Sequence, residues 1–262
     1  MKDDEYMKDG LVYCKKCNRP RQIELNLWGV AMRPRVLCPC QQAEEEKEKQ
    51  ERKAREMADK IMRNRSEGMR EKALQKYTFQ NDTIHGPEMK TAENYVKHWE
   101  QMRKEGMGLL IWGDVGTGKT YLAGCIANAL LDQGVPVMMT NFSRILNTLT
   151  GMYQGDRNRY IDDFQRYSLL ILDDLGIERN SEFALEQVFG VIDGRYRSRL
   201  PMIVTTNLTL AELKHPESLA KARIYDRVLE RCVPLRVSGK NLRQQQAGEN
   251  LKKAKRMLTE TV

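Results

Sequence analysis

No apolar run in this sequence approaches the ~20 residues that a bilayer-spanning helix needs. The first residues, Met1-Lys2-Asp3-Asp4-Glu5, lack the apolar stretch of a secretory signal. Both absences predict a cytoplasmic protein with no membrane partner, whose thiols stay reduced. Apolar residues make up only 40% of the 262, against 31% charged, which implies a folded core carrying a solvated charged segment. Proline is missing from Gln41 to Lys76. Histidine is scarce and absent from the first 40 residues, so a metal site there has to be built from cysteine. Acidic residues are outnumbered, giving a net charge of +8. That charge is compatible with nucleic acid, nucleotides or acidic partners and does not choose among them.

What the chain does hold is Gly113-Asp114-Val115-Gly116-Thr117-Gly118-Lys119-Thr120, a match to G-x-x-x-x-G-K-[ST] at every required position. Glycines let successive N–H groups turn inward around phosphate oxygens. Lys119 supplies a point charge for the β- and γ-phosphates, and the Thr120 hydroxyl suits Mg²⁺. The apolar run Leu109–Trp112 precedes the loop as a buried strand should. Leu122, Ile126 and Leu130 follow at helical spacing. Strand, loop and helix thus come in the order that phosphate binding requires. A polyphosphate is the expected ligand of residues 113–120 and of Tyr121 just after them, and the resemblance described below implies that it is ATP.

A second signature is Leu169-Leu170-Ile171-Leu172-Asp173-Asp174, an apolar strand that delivers carboxylates to its end. Asp173 is placed to order the Mg²⁺ shell, and Asp174 either to orient a water at the γ-phosphate or to cap a turn. A third is Thr205-Thr206-Asn207, where Asn207 either senses the γ-phosphate or merely ends the strand. Apolar spacing predicts helices over 91–103, 143–152 and 184–196 and strands over 135–140, 169–172, 202–206 and 233–237. Such alternation argues for a mainly parallel α/β sheet covered on both faces. Beyond Val237, Ala247, Leu251, Ala254 and Leu258 mark one basic amphipathic helix.

Residues 1–40 hold Cys14, Cys17, Cys38 and Cys40. Two cysteine pairs in a small cytosolic segment read as a tetrahedral zinc site, although Cys-x-Cys is tighter than the usual knuckle. Unconnected or redox-labile thiols are the alternative. Four thiolates leave no open position, so such a site is structural. The apolar residues between the pairs are too few to fold alone without the metal. Residues 41–76 are rich in Glu, Lys, Arg and Gln and predict a solvated helical connector or a flexible charged tether.

Together GDVGTGKT at 113–120, LLILDDLG at 169–176, IVTTNLT at 203–209 and RIYDRVLER at 223–231 resemble the AAA+ helicase loaders of the DnaC/DnaI type and the related IstB ATPases of transposition. The resemblance spans roughly 77–245. It implies an AAA+ P-loop ATPase over 77–240, preceded by a zinc-binding N-terminal domain over 1–40 and a connector over 41–76. A basic helix or tail over 241–262 follows. It also implies that Lys119, Asp173, Asp174, Asn207 and Arg227 are catalytic, Arg227 reaching the ATP of a neighbouring subunit. Arg223 lies one helical turn before Arg227, and a solvated basic face is the plainer reading of both. The pair Asp173-Asp174 departs from the usual Asp-Glu and implies slow, assembly-stimulated hydrolysis. The expected partners are a DnaB-type replicative helicase, single-stranded DNA contacted through 143–159, and further copies of the chain. A transposition helper is the alternative. A small-molecule kinase is disfavoured, because no substrate-binding insertion is recognisable.

Overall fold

The apolar runs of the second half assemble into one sheet. In the computed structural model, which describes residues 3–81, 86–176 and 181–259, strands β5 (Gly108–Trp112), β6 (Val137–Asn141), β7 (Leu169–Leu175), β8 (Met202–Thr206) and β9 (Cys232–Arg236) pair in the order β6-β7-β8-β5-β9. Every pairing is parallel. Successive side chains of a strand point to opposite faces. Leu109, Ile111, Ile171 and Ile203 therefore pack on one face, with Leu122, Ile126 and Leu130 of α4 (Lys119–Asp132). Leu110, Leu170, Leu172 and Val204 pack on the other. That second face is covered by Phe142, Ile145 and Leu149 of α5 (Phe142–Thr150), by Val188, Val191 and Ile192 of α7 (Glu182–Ser198), and by Ile224 and Val228 of α9 (Leu219–Arg231). With both faces covered, each strand is a continuous apolar run, which is why the strands are legible.

Three features depart from the sequence expectation. The helix expected over 91–103 is two helices, α2 (Pro87–Lys97) and α3 (Trp99–Glu105), broken at His98 with φ −101 and ψ 23. A one-residue break leaves the apolar spacing unchanged, so periodicity does not register it. Helix α6 (Gln154–Asp163) has no buried residue and hence no apolar stripe to betray it. Short α8 (Leu210–Lys214) is set by a capping box between Thr209 and Glu212.

The chain divides between Asp59 and Lys60 into two compact units. The second begins at Lys60. Its opening turns belong to α1 (Pro39–Gly68). Arg65 donates to Asn128 Oδ1 at 2.5 Å and to Asp132 Oδ1 at 2.6 Å. Gly68 lies so close to the sheet that a Cβ there would sit 1.7 Å from the Val137 carbonyl oxygen. High charge hides these anchors in the sequence. The last helix, α10 (Leu242–Thr259), leaves Leu251, Met257 and Leu258 exposed.

The first unit contains two antiparallel hairpins, β1 (Glu5–Lys8) with β2 (Leu11–Cys14) and β3 (Leu25–Leu27) with β4 (Val30–Met32). Both turn through two left-handed residues, Asp9-Gly10 and Trp28-Gly29, the geometry that matches strand twist. Leu25 faces Met32 and Leu27 faces Val30 across the second hairpin, yet all four are exposed. Among the described residues, no helix is long and apolar enough to cross a membrane.

The most demanding packing is that of Arg195 on α7, which is fully buried. It donates to the carbonyls of Phe164 (3.3 Å), Tyr167 (2.9 Å), Ser168 (3.3 Å) and Pro201 (2.5 Å), closing the approaches to β7 and β8. Burial lowers its pKa to about 9, so it remains a cation at neutral pH. Arg195→Met should orphan these carbonyls and cost about 3 kcal/mol or more. Exposed Arg197→Met loses an ion pair to Asp193 of 2.9 Å and should cost about 1 kcal/mol or less. Urea-unfolding midpoints of the two variants check this order.

Candidate functional site

Strands β5, β7 and β8 end side by side at the carboxyl edge of the sheet, with β8 between the other two. Ligand sites in parallel sheets form at such edges. The loop after β5 turns through Gly116 at φ +82 and Gly118 at φ +102, both in the left-handed region. Gly118 is the residue before α4, so the first N–H groups of that helix face the loop. Lys119, only 5% exposed, donates to the carbonyls of Gly113 (2.8 Å) and Asp114 (2.7 Å). Burial lowers its pKa, and Asp174 and Asp173 oppose that shift. Thr117 ties the loop internally by donating to the Asp114 carbonyl at 2.9 Å, while Val115 is exposed and lines the cavity described below.

The acidic pair is held by hydroxyls. Thr120 donates towards both oxygens of Asp173, at 3.1 and 3.0 Å. Fully buried Thr205 donates to Asp173 Oδ1 at 2.5 Å and accepts the Asp174 N–H at 2.9 Å. Burial raises the pKa of Asp173, and the Thr205 and Thr120 hydrogen bonds pull it back down. Register slips between Leu172 and Leu175, and Asp174 takes a left-handed φ of +61. This irregularity re-aims one carboxylate, as β-bulges do. Asp174 consequently faces the same cavity as Lys119.

That cavity has a volume of about 440 Å³. Gly116, Gly118, Lys119 and Thr120 line one side of it, Asp174 and Asn207 another. Tyr77 and Tyr121 form an aromatic wall, their ring centroids 4.9 Å apart. The Tyr121 hydroxyl donates to the carbonyls of Thr78, at 2.9 Å, and Asn81. Leu242 and Arg243 complete the lining. The Leu242 N–H bonds the Gly116 carbonyl at 2.9 Å, tying the start of α10 to the loop. An aromatic wall, inward-facing amides and a lysine suit a base and a polyphosphate. The Thr120 hydroxyl and the Asp173 carboxylate are a hard-oxygen pair that fits Mg²⁺.

The structure thus brings Gly116, Gly118, Lys119, Thr120, Tyr121, Asp174 and Asn207 to one cavity, with Asp173 behind Thr120. It does not bring Arg227 there. Arg227 donates to Asp193 Oδ1 at 2.7 Å and stacks over Phe189 and Tyr196. Arg223, one turn earlier, is exposed beside it. In the expected DNA segment, Arg144 pairs with Glu71 at 2.7 Å and Arg157 lies over Phe183. Arg159 and Tyr153 remain outward. Sequence reasoning passed over Leu242 and Arg243, which carry no motif. It also gave Thr205 no role of its own, although Thr205 stands in the third signature.

In the first unit the sulfurs of Cys14, Cys17, Cys38 and Cys40 all lie within 4.8 Å of one another. A zinc tetrathiolate with bonds of about 2.3 Å needs sulfurs about 3.8 Å apart, so a small contraction closes the site. Backbone N–H groups of Cys17 and Lys16 lower the Cys14 thiol to about 6, favouring the thiolate. The four residues fit a metal.

Residues 43–250 match the family of IstB-like ATP binding proteins. The chain is 27% identical to the replicative helicase loader DnaI of Bacillus subtilis (strain 168) over 181 residues, 63% of this chain and 58% of that protein. It is 26% identical to the replicative helicase loader DnaC of Escherichia coli (strain K12) over 119 residues, 44% of this chain and 47% of that one. The chain spans about half the length of these relatives. A crystal structure of DnaI superposes with a TM-score of 0.56 at 24% identity, covering 66% of this chain and 93% of that one. The match over most of its length makes the chain a member of the IstB-like ATP-binding protein family, folded as an AAA+ P-loop NTPase.

Proposed function

We propose that this protein is an ATP-dependent loader that helps place a hexameric replicative helicase on DNA. The observation that carries the proposal is the convergence of the phosphate loop, Asp174 and Asn207 on one cavity, in a chain similar to two replicative helicase loaders. In this reading Lys119 exchanges its two carbonyl partners for phosphate oxygens. Thr120 and Asp173 hold Mg²⁺, which neutralises phosphate charge. Asp174 orients a water at the terminal phosphate, and Asn207 registers whether that phosphate is present. Arg243 adds positive charge at the cavity mouth. The aspartate at 174 is shorter than a glutamate, which supports slow hydrolysis that rises on assembly. The exposed Tyr153 and Arg159 support single-stranded DNA contact by stacking and by charge.

The position of Arg227 supports hydrolysis shared between subunits. Its guanidinium is fixed outside its own cavity, where a second copy can use it to stabilise transferring phosphoryl charge. The cysteine unit supports a structural zinc site and, through the exposed hairpin β3–β4, a helicase contact. Family membership alone is equally compatible with a transposition helper, so partner identity decides. Co-purification with a candidate replicative helicase should increase with ATP. Recovery of a transposase and no helicase would replace the loader reading.

Two site predictions follow from the geometry. Lys119→Ala should abolish tight ATP binding, measured with a fluorescent analogue, and leave the thermal unfolding transition in place. Arg227→Ala and Asp174→Asn should each bind ATP but lose assembly-stimulated hydrolysis. Mixed with DNA or helicase present, they should regain part of it, because some interfaces unite an intact arginine with an intact acidic pair. No recovery under conditions of subunit exchange rejects the shared site.

A further inference from the structure

The cysteine cluster sits against a charged side chain that the zinc motif does not contain. Arg21 lies between the two cysteine pairs in sequence and is 3% exposed. Its main chain joins the two segments that lead to them. The Arg21 N–H donates to the Val12 carbonyl at 2.7 Å, and its own carbonyl accepts the Val36 N–H at 2.8 Å. Val12 and Val36 each stand two residues before a cysteine, Cys14 and Cys38. The guanidinium donates to Cys14 Sγ at 3.4 Å. Within the cluster Cys14 and Cys38 are the buried pair, each 1% exposed, whereas Cys17 and Cys40 are half-buried.

Four thiolates around a dication carry a net charge of −2, and burying that charge is costly without a compensating cation. Arg21 stands in the place where such a cation is needed. Asp4 and Glu5 hold it there at 2.6 and 3.1 Å, and Arg35 takes both oxygens of Glu5 at 3.0 and 3.1 Å. Groups that hydrogen-bond metal ligands from behind set ligand orientation and metal retention, and their loss commonly weakens binding 10–100-fold.

We propose that Arg21 is a positioning residue of the four-cysteine metal site, donating to the buried sulfur of Cys14 and thereby slowing metal loss. The inference rests on the zinc reading above. It predicts a site in which Cys14 is held and the more exposed Cys17 and Cys40 open first.

The test uses the full chain, zinc-loaded and cobalt-substituted. Arg21→Met should release zinc to a chromophoric chelator about tenfold faster or more than wild type. Removing a donor from the thiolates also makes them more electron-rich, so the sulfur-to-cobalt charge-transfer band should move to lower energy. Arg21→Lys keeps the charge but not the planar fork, and should fall between the two. It carries the test if the methionine variant does not fold. Asp4→Asn breaks the 2.6 Å ion pair and leaves the donation to sulfur, so its band should stay at the wild-type position. An Arg21 variant with wild-type band and release rate overturns the proposal. An Asp4→Asn variant that reproduces Arg21→Met also overturns it, because the ion pair alone then explains the effect. Metal analysis finding no zinc in wild type overturns the metal site itself, a result distinct from either.

Discussion

Strand β8 lies between β5 and β7, and the ATP-binding half of the molecule depends on that placement. Neighbouring strands are about 4.8 Å apart, so the loop after β5 and the carboxylates of β7 stand roughly 10 Å from each other. The gap is what makes a cavity. Its floor is the end of β8, where Thr205 is fully buried and Asn207 follows at the cavity wall. One hydroxyl there contacts Asp173 through its proton and Asp174 through its oxygen. The Asp173 carboxylate and the Asp174 main chain are thereby held from the middle strand, while Thr120 reaches Asp173 from the helix beyond the loop.

Electrostatics in this cavity centre on Lys119. Lys119 is buried and satisfied by two carbonyl oxygens of its own loop, so the free site avoids an unpaired buried cation. Those bonds join a charged donor to neutral acceptors and are weaker than bonds between two charged groups. Asp173 and Asp174 on one side and Arg243 on the other act on Lys119 in opposite directions. A ligand bearing both phosphate and a divalent cation answers both signs.

The cysteine unit solves a different problem. It has little apolar core, and small units of this kind need a metal or comparable staple. Buried Glu5 and Arg21 replace the absent core with a charge network, and the hairpin β3–β4 keeps its apolar face outward. The AAA+ fold, by contrast, buries apolar residues on both sides of its sheet and has no such shortage.

What the sequence by itself determined follows from local rules. The loop 113–120 needs glycines and a lysine at set spacing, and the strands at 169–175 and 202–206 are apolar on both faces. Both features survive as plain text. Asp173 and Asp174 could be placed at the end of their strand for the same reason, and four cysteines in two pairs announce a common site. Tertiary structure alone decided the left-handed turn at Asp174, the arrival of Leu242 and Arg243 at the cavity, and the anchoring of residues 60–68. It also placed Arg21 behind the Cys14 sulfur and Arg227 away from the cavity of its own chain. Those contacts join residues far apart in the chain, and a polar side chain carries no periodicity that names its partner. Apolar spacing records which face is buried; only the folded chain brings a particular charge to a particular atom.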